Sequence, residues 1–434
     1  MFCLADGNNF YVSCERVFRP ELRGVPVAVL SNNDGACVSR SYEAKKLGVP
    51  MGAPAHELRD FVVHHGLILC SSNYSLYGDI SDRFMRTLKP FASSMSGYSI
   101  DEAFLCLDGV RGDLHQLGLQ IKAKVLRDVG IPIGIGIAPT KVLAKLANWA
   151  AKKWPATGGV VVLTDPARQA KLLQLAEVGD VWGIGRQLTS HLQDMGIRTA
   201  AQLAAHDPKA LRRRFSINVE RTARELRGEV CFSLHENLGP KKMIACTRSF
   251  GQRLYSLPDL QQAIASHIAR ASEKLRAQQE DCRVVQVFIR TSPFDSKGES
   301  YSRSTFVQLQ TPSSDVRDLL QAAQAGLASI YRPGPAYAKA GVILMEFINP
   351  RMSTPDLFAP APRKGSADLM AVIDKINRKQ GRGTIKPARL ASAHSFAMKQ
   401  DRKSPCFTTS WSDLLKVGSG PCLPVNAAET SCQK

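Results

Sequence analysis

The sequence predicts a multidomain chain of α/β and α+β parts. These are a mixed sheet-and-helix N-terminal domain, a small helical unit, a second sheet with two helices, and a basic C-terminal extension. Three observations carry this prediction. Short apolar runs alternate with helix-period patterns over residues 1–165. Two glycine-marked turns, separated by a single helical pattern, follow at 178–204. From residue 241 the order becomes strand, helix, two strands, helix, strand, with period-two stretches. At 434 residues the chain has room for two to four domains, and its 44% hydrophobic content suffices for packed cores.

In the first region, Phe2–Ala5, Val27–Leu30, Val62–Cys70, Ser99–Leu107 and Ile131–Ile137 read as strands. Val142–Ala151 reads as a helix with Leu143, Leu146, Ala147 and Ala150 on one face. The chemistry concentrates in Ser99-Ile100-Asp101-Glu102-Ala103-Phe104, where two adjacent carboxylates stand in an apolar, β-prone stretch. Half-buried carboxylates repel each other and raise each other's pKa, and a cation removes that penalty. Hard oxygen donors suit Mg²⁺. An isolated Asp-Glu pair would fit a solvated turn equally well. A third carboxylate, Asp6, closes the apolar run Phe2, Leu4, Ala5. Three carboxylates at the ends of two strands are what a two-metal phosphoryl-transfer site requires.

Residues 166–240 read as helical. Val181-Trp182-Gly183-Ile184-Gly185-Arg186 precedes a helical pattern, and Gly196-Ile197-Arg198-Thr199 precedes a second. This is helix-hairpin-helix chemistry: Gly183 and Gly185 let the backbone approach, and N–H groups at a helix start bind a DNA phosphate. A lone G-x-G would be no more than a tight turn. The arginines that follow, Arg212 to Arg214, Arg221, Arg224 and Arg227, taken singly, are solvated helix positions.

Residues 241–348 are expected to form strand Met243–Phe250, helix Leu260–Leu275, strands Arg283–Arg290 and Tyr301–Leu309, helix Val316–Ile330 and strand Ala340–Phe347. Across 241–347 there are 14 Lys+Arg against 9 Asp+Glu. Residues 349–434 are proline-rich at first and then hold one helical stretch, Asp368–Arg378. Over 348–434 there are 14 Lys+Arg against 6 Asp+Glu, so this extension is read as a partner-binding tail or as disorder with a small helical unit.

The formal net charge of +19, with a pI near 9.6, implies an anionic partner, and a polyphosphate backbone is the commonest. Eleven cysteines are scattered without any C-x-x-C, which argues against a zinc site or a disulfide framework and for reduced thiols in a cytoplasmic protein. Asp6 interrupts the opening apolar run, so no signal peptide is expected, and no stretch is long enough to span a membrane.

Asp6-Gly7-Asn8-Asn9-Phe10-Tyr11-Val12-Ser13-Cys14-Glu15, the Ser99–Phe104 hexad, and Gly134-Ile135-Gly136-Ile137-Ala138 leading to Lys141 and Lys145 resemble the three motifs of the Y-family translesion DNA polymerases. Asn32-Asn33-Asp34-Gly35 and the basic extension resemble the UmuC-type branch, the catalytic subunits of DNA polymerase V and their plasmid-borne relatives. The resemblance implies a palm with small fingers (1–165), a thumb (166–240), a little finger (241–348) and a C-terminal extension (349–434). It implies error-prone, template-directed synthesis past damaged bases in the SOS response, with two Mg²⁺ held by Asp6, Asp101, Glu102 and the carbonyl of Gly7. Phe10 and Tyr11 would lie against the incoming nucleotide, with Tyr11 the steric gate beneath the sugar. Without the motif Tyr11 would be a core aromatic. Ser39, Tyr42 and Lys45, spaced by three as if along one helical face, would bind the triphosphate, as would Lys152. Read alone, they would be an exposed helix start and a helix C-terminal lysine. Lys45 stands where many relatives carry Arg, a point charge in place of a bidentate fork.

Arg248, in Thr247-Arg248-Ser249-Phe250-Gly251, would contact template phosphates. Implied partners are primer-template DNA, deoxynucleoside triphosphates, accessory SOS mutagenesis subunits, RecA and a sliding clamp, with a cytoplasmic, nucleoid-associated location and no membrane. The clamp peptide of relatives is degenerate here: Ser353-Thr354-Pro355-Asp356-Leu357-Phe358 keeps the Leu357-Phe358 anchor and lacks the glutamine and aliphatic positions. Two rival functions remain. A nucleotide cyclase shares paired acids of this kind, and DNA binding separates it. A catalytically silent DNA-binding scaffold would fail in primer extension.

Overall fold

The computed structural model describes residues 1–234, 240–295, 300–350, 352, 358, 363–381, 383–388, 390 and 398–414. The first sheet begins with β1 (Phe2–Gly7). A small second sheet follows: β2 (Val27–Leu30), β3 (Cys37–Arg40) and β4 (Ile68–Ser71), in the order β3-β2-β4. The chain then returns to the first sheet with β5 (Ser94–Gly97), β6 (Glu102–Cys106), β7 (Ile133–Ala138) and β8 (Val160–Val162), giving the order β5-β6-β1-β7-β8. Strand β1 is thus central, antiparallel to both β6 and β7, and fully paired.

Each face of this sheet packs on its own core. Phe2, Leu4 and Phe104 point to the helix Lys141–Lys153 and the helices of 166–226. Cys3, Ala5, Ala103 and Leu105 point to helices Phe10–Phe18, Tyr74–Leu88 and Leu114–Val129. Alternate residues of β1 and β6 therefore serve opposite cores, as the two-residue period of a strand requires.

The expected strand Val62–Cys70 is a helix followed by a shorter strand. Arg59–His65 is helical, with Val62 and Val63 exposed, and it ends at Gly66, whose φ of +64° and N–H to Phe61 close the helix. Only Ile68–Ser71 is a strand. The β-branched pair suggested a strand, but a glycine C-cap ends the helix and resets the chain before β4. Strand β3 also departs from expectation. Ser39 lies on it, and Ser41 caps the helix Tyr42–Lys46 by accepting from the Ala44 N–H, so Ser39 does not share a helical face with Tyr42 and Lys45.

The helices of 166–226 share a core with the palm-like sheet through Val178, Val181, Ile184, Leu192, Ile197 and Leu203. Buried Glu225 anchors this unit to the first helix of the lysine motif: its carboxylate accepts from the Val142, Cys231 and Phe232 N–H groups at 3.0, 2.9 and 2.8 Å. A carboxylate on free N–H groups at a helix start is favoured by the helix dipole as well.

The third sheet is built from β9 (Met243–Leu254), β10 (Asp281–Thr291), β11 (Ser302–Ser313) and β12 (Tyr337–Ile348), all antiparallel, in the order β11-β10-β12-β9. Helices Leu257–Ala277 and Val316–Ile330 cover one face, and among the described residues no helix covers the other. The helix expected at Asp368–Arg378 spans Ser366–Gln380 and joins this core through Met370, with Asp374 held by Arg276 in two 2.7 Å bonds.

Candidate active site

Asp6 and Glu102 are direct neighbours across the β1–β6 ladder. Asp101 stands one residue before β6, where its carbonyl accepts the Gly7 N–H at 2.8 Å. The Ser99 hydroxyl donates to Asp101 Oδ1 at 2.6 Å and also approaches Glu102. Burial pushes Asp6 up to about 7, the repulsion of Glu102 and Asp101 adds to it, and the Lys152 ammonium opposes it. Crowded, half-buried carboxylates of this kind store repulsion that a cation relieves.

Two lysines from one helix face them. Lys145 donates to both oxygens of Glu102, at 3.0 and 3.3 Å, and Lys152 forms an ion pair with Asp6. The glycines of β7 permit this approach. A Cβ on Gly136 would lie 2.2 Å from the Ala144 carbonyl oxygen and 2.3 Å from the Asn148 nitrogen, both backbone. Only glycine lets the helix Lys141–Lys153 settle this closely on the sheet. Among the described residues, no three His, Cys, Asp or Glu side chains are placed to share one ion. The donor chemistry nonetheless fits Mg²⁺: three carboxylates side by side, hard oxygens throughout, and an Asp6 carboxyl pushed up by burial and then by the charges of Glu102 and Asp101.

Lys145 is held further by cation–π contacts, 4.2 Å from the Tyr98 ring and 5.6 Å from that of Trp182. The Trp182 indole N–H donates to the Tyr98 hydroxyl at 3.0 Å, so the turn containing Gly183 is tied to the carboxylate end of the sheet. Gly183 takes a φ of +91° there, and Gly185 caps the helix Arg186–Asp194. Sequence reading passed over Tyr98, Trp182 and Glu225 as site-building residues, although Tyr98 adjoins the Ser99–Phe104 hexad and Trp182 stands within the Val181–Arg186 motif; Glu225 had no local signal.

Beside the carboxylates lies a group of cations. Lys45 donates to Asn9 Oδ1 at 2.6 Å and stands 5.0 Å from the Tyr42 ring. Burial lowers its pKa, as does the repulsion of Arg40 and Lys152. Arg40, overlooked in the sequence, thus joins Lys45 and Lys152; the alternation of β3, with Cys37 and Ser39 buried, was the signal that turns it outward. Ser39 is buried and Tyr42 half-exposed.

Phe10 is buried, and a Cβ on Gly7 would come 2.9 Å from its ring. Tyr11 stacks on Tyr77 at 4.7 Å with 17° between the ring planes, and meets Tyr74 edge-on at 5.9 Å. The three rings form one aromatic cluster, and its Tyr11 feels the charge of Asp101.

On the third sheet, Arg248 is exposed at the edge strand β9 but pairs with buried Ala340, on the side that the helices cover, and its charge reaches His267. The open face carries Arg290 and Lys339 as cross-strand neighbours, and burial together with Arg290 lowers the Lys339 pKa. Sequence reading chose Arg248 and missed this pair. Of the clamp-like peptide, Leu357 lies outside the described residues and Phe358 is fully exposed.

Comparison with known proteins agrees with this geometry. The structure resembles a Y-family DNA polymerase chimera of Dbh and Dpo4, with a TM-score of 0.65 at 21% identity over 80% of this chain and 99% of that one. It also resembles an insertion ternary complex of Dbh DNA polymerase, at a TM-score of 0.53 and the same coverage. In sequence the chain is 46% identical to Protein UmuC of Salmonella typhimurium, over 96% of this chain and 100% of the relative. It is 46% identical to Protein MucB of Escherichia coli, over 95% and 99%. DNA polymerase IV 2 of Mesorhizobium japonicum is 32% identical over 66% of this chain and 67% of its own length. Residues 367–417 match a domain of unknown function, DUF4113. Residues 5–149 match the impB/mucB/samB family and 241–357 match that family's C-terminal domain, so the chain belongs to the impB/mucB/samB family.

Proposed function

We propose that this chain is an error-prone translesion DNA polymerase of the SOS response, a DNA-directed enzyme that adds deoxynucleotides opposite damaged bases. The observation that carries this reading is the juxtaposition of Asp6, Asp101 and Glu102 with the Arg40, Lys45 and Lys152 cations, Lys152 pairing directly with Asp6, beside the Tyr11 ring. A nucleoside triphosphate suits such a site: its β- and γ-phosphates would meet the cations, its α-phosphate would lie at the carboxylates, and its sugar, on the other side of the α-phosphate, would rest against Tyr11.

In this reading Lys45, Arg40 and Lys152 hold the triphosphate, and their mutual repulsion makes an anion welcome. Ser39 and Tyr42 contribute from beside them. Tyr11, supported from below by Tyr77, closes the space that a ribose 2′-hydroxyl would need. Asp6, Asp101, Glu102 and the Gly7 carbonyl would hold two Mg²⁺ ions, which supply charge neutralisation and lower the pKa of the primer hydroxyl when bound. That hydroxyl attacks the α-phosphate, and pyrophosphate leaves. Much of the catalysis is positioning and charge complementarity.

The turns at Gly183 and Gly196, together with the open face bearing Arg290 and Lys339, would grip primer-template DNA, with Arg248 at the sheet edge. Accessory SOS mutagenesis subunits, RecA and a sliding clamp are proposed partners, the clamp through Leu357 and Phe358. A cytoplasmic, nucleoid-associated location goes with this function, and no described helix is long and apolar enough to cross a membrane.

Primer extension on damaged template tests the reading. Asp101→Ala should abolish nucleotide transfer while leaving DNA affinity and folding intact, because it removes a half-buried ligand and no core. Near-normal extension by that variant would sink the carboxylate assignment, and no extension by the wild type would favour the silent scaffold.

A further inference from the structure

Residues 399–407 return to the first domain and lie along the free edge of its small sheet. Lys403 bridges Ser71 in parallel, the Ser71 N–H donates to the Arg402 carbonyl at 3.0 Å, and the Arg402 N–H donates to the Ser71 hydroxyl at 2.9 Å. The Asn32–Gly35 loop receives the segment's start. There the Lys399 N–H donates to Asn33 Oδ1 and the Asp401 N–H to Asp34 Oδ2, both at 3.0 Å. Asn33 also donates to the Ser249 carbonyl of β9 at 3.0 Å, so one loop joins the first domain, the third sheet and the returning segment. Farther along, Phe407 is buried and stacks on Phe18 at 5.0 Å.

The polar groups beneath this segment are the informative ones. Glu15, Ser71 and Asn73 are fully buried. The Asn73 amide donates to the Ser404 carbonyl at 3.0 Å, to the Ser404 hydroxyl at 3.1 Å and to the Pro405 carbonyl at 3.2 Å. The Ser404 hydroxyl in turn donates to Glu15 Oε1 at 3.0 Å. A buried amide whose acceptors come from one distant segment is left unsatisfied when it leaves, and the buried carboxylate loses a donor, at a cost larger than the bonds contribute in place. Glu15 Oε1 takes a second hydroxyl, that of Tyr77, at 2.7 Å, and the Tyr77 ring is the one stacked beneath Tyr11.

We propose that residues 399–407 are a strap completing the catalytic domain, and that Ser404 is a positioning residue which, with Glu15, fixes Tyr77 beneath the sugar-facing ring of Tyr11. The second half rests on the polymerase reading of Tyr11. The strap itself does not. Part of the matched domain of unknown function thereby acquires a role, as a structural and selectivity element within the chain.

The test uses the full-length protein and two measurements. Hydrogen exchange of the wild type should show protected amides at 399–402, and Ser404→Ala with Phe407→Ala should raise their exchange. Wild-type amides exchanging as in an unfolded peptide would overturn the strap. Single-nucleotide kinetics should show Ser404→Ala and Tyr77→Phe each lowering the deoxy-over-ribo ratio of kcat/KM by about tenfold. The pair should also lower it by about tenfold, because both act through Glu15. Ser404→Thr should restore the ratio, and Ser412→Ala should leave it alone. A hundredfold, additive effect of the pair, or no effect of Ser404→Ala, would overturn the positioning role. A wild type without nucleotide transfer would overturn the polymerase reading and this role with it, while exchange would still decide the strap.

Discussion

Gly136→Ala is the sharpest perturbation of the site, because it adds one methyl group and removes no functional side chain. The new Cβ would stand 2.2 Å from the Ala144 carbonyl oxygen and 2.3 Å from the Asn148 nitrogen, whereas real contacts hardly ever fall below 3.0 Å. Both neighbours are backbone of the helix Lys141–Lys153, so no side chain can rotate away. The helix must retreat by the difference, 0.8 Å or more, and it carries Lys145 and Lys152 away from Glu102 and Asp6. Overpacking of this kind costs about 1–3 kcal/mol of stability. A displacement on the order of 1 Å at a catalytic constellation costs about 10²-fold in rate. We expect kcat/KM for single-nucleotide addition to fall by about that factor, with a stable fold remaining. The control is Gly78→Ala, where no neighbour lies within 4 Å inside the helix Tyr74–Leu88. It should stabilise the protein by about 0.5–1 kcal/mol, as helix propensity dictates, and leave the rate unchanged. Wild-type rate and melting temperature in Gly136→Ala would refute the argument that close packing of this helix builds the site.

Three further outcomes follow from the same structure. Tyr11→Ala should raise ribonucleotide use relative to deoxynucleotide, read as the ratio of the two kcat/KM values; an unchanged ratio would make Tyr11 a packed aromatic only. Arg290→Ala with Lys339→Ala should flatten the plot of log DNA affinity against log salt by about 1.8, at about 0.9 per phosphate neutralised, and an unchanged slope would remove the open sheet face from the DNA interface. Burial, with Arg248 adding repulsion, lowers His267 from 6.5 to about 4. Between those values the unfolded chain binds a proton that the folded chain refuses, so stability present above pH 6.5 is lost as pH falls toward 4, by up to about 3 kcal/mol. Urea unfolding at pH 7 and pH 4.5 should therefore show a smaller loss in His267→Leu than in wild type. An equal loss would put the acid sensitivity elsewhere.

The parts of this molecule legible in its sequence are those that local pattern specifies. The alternation of β10 and β11, the span Val316–Ile330 and the three carboxylates at two strand ends all depend on neighbours a few positions away. The face that Arg248 takes was not legible, because exposure at an edge strand and direction across the sheet are separate properties. Its face follows from pairing with Ala340, which no pattern near Arg248 records. The same holds more strongly for the strap. Ser404 lies 389 positions from Glu15, in a stretch with no periodicity to mark it. Loop closure costs only about 0.6 kcal/mol more for each doubling of length, so a buried receptor recruits a segment from the far end of a chain at little penalty for distance. What selects the segment is the match of a hydroxyl, two carbonyls and an aromatic ring to Glu15, Asn73 and Phe18. That match is a property of two surfaces together, and either stretch of sequence read by itself contains half of it.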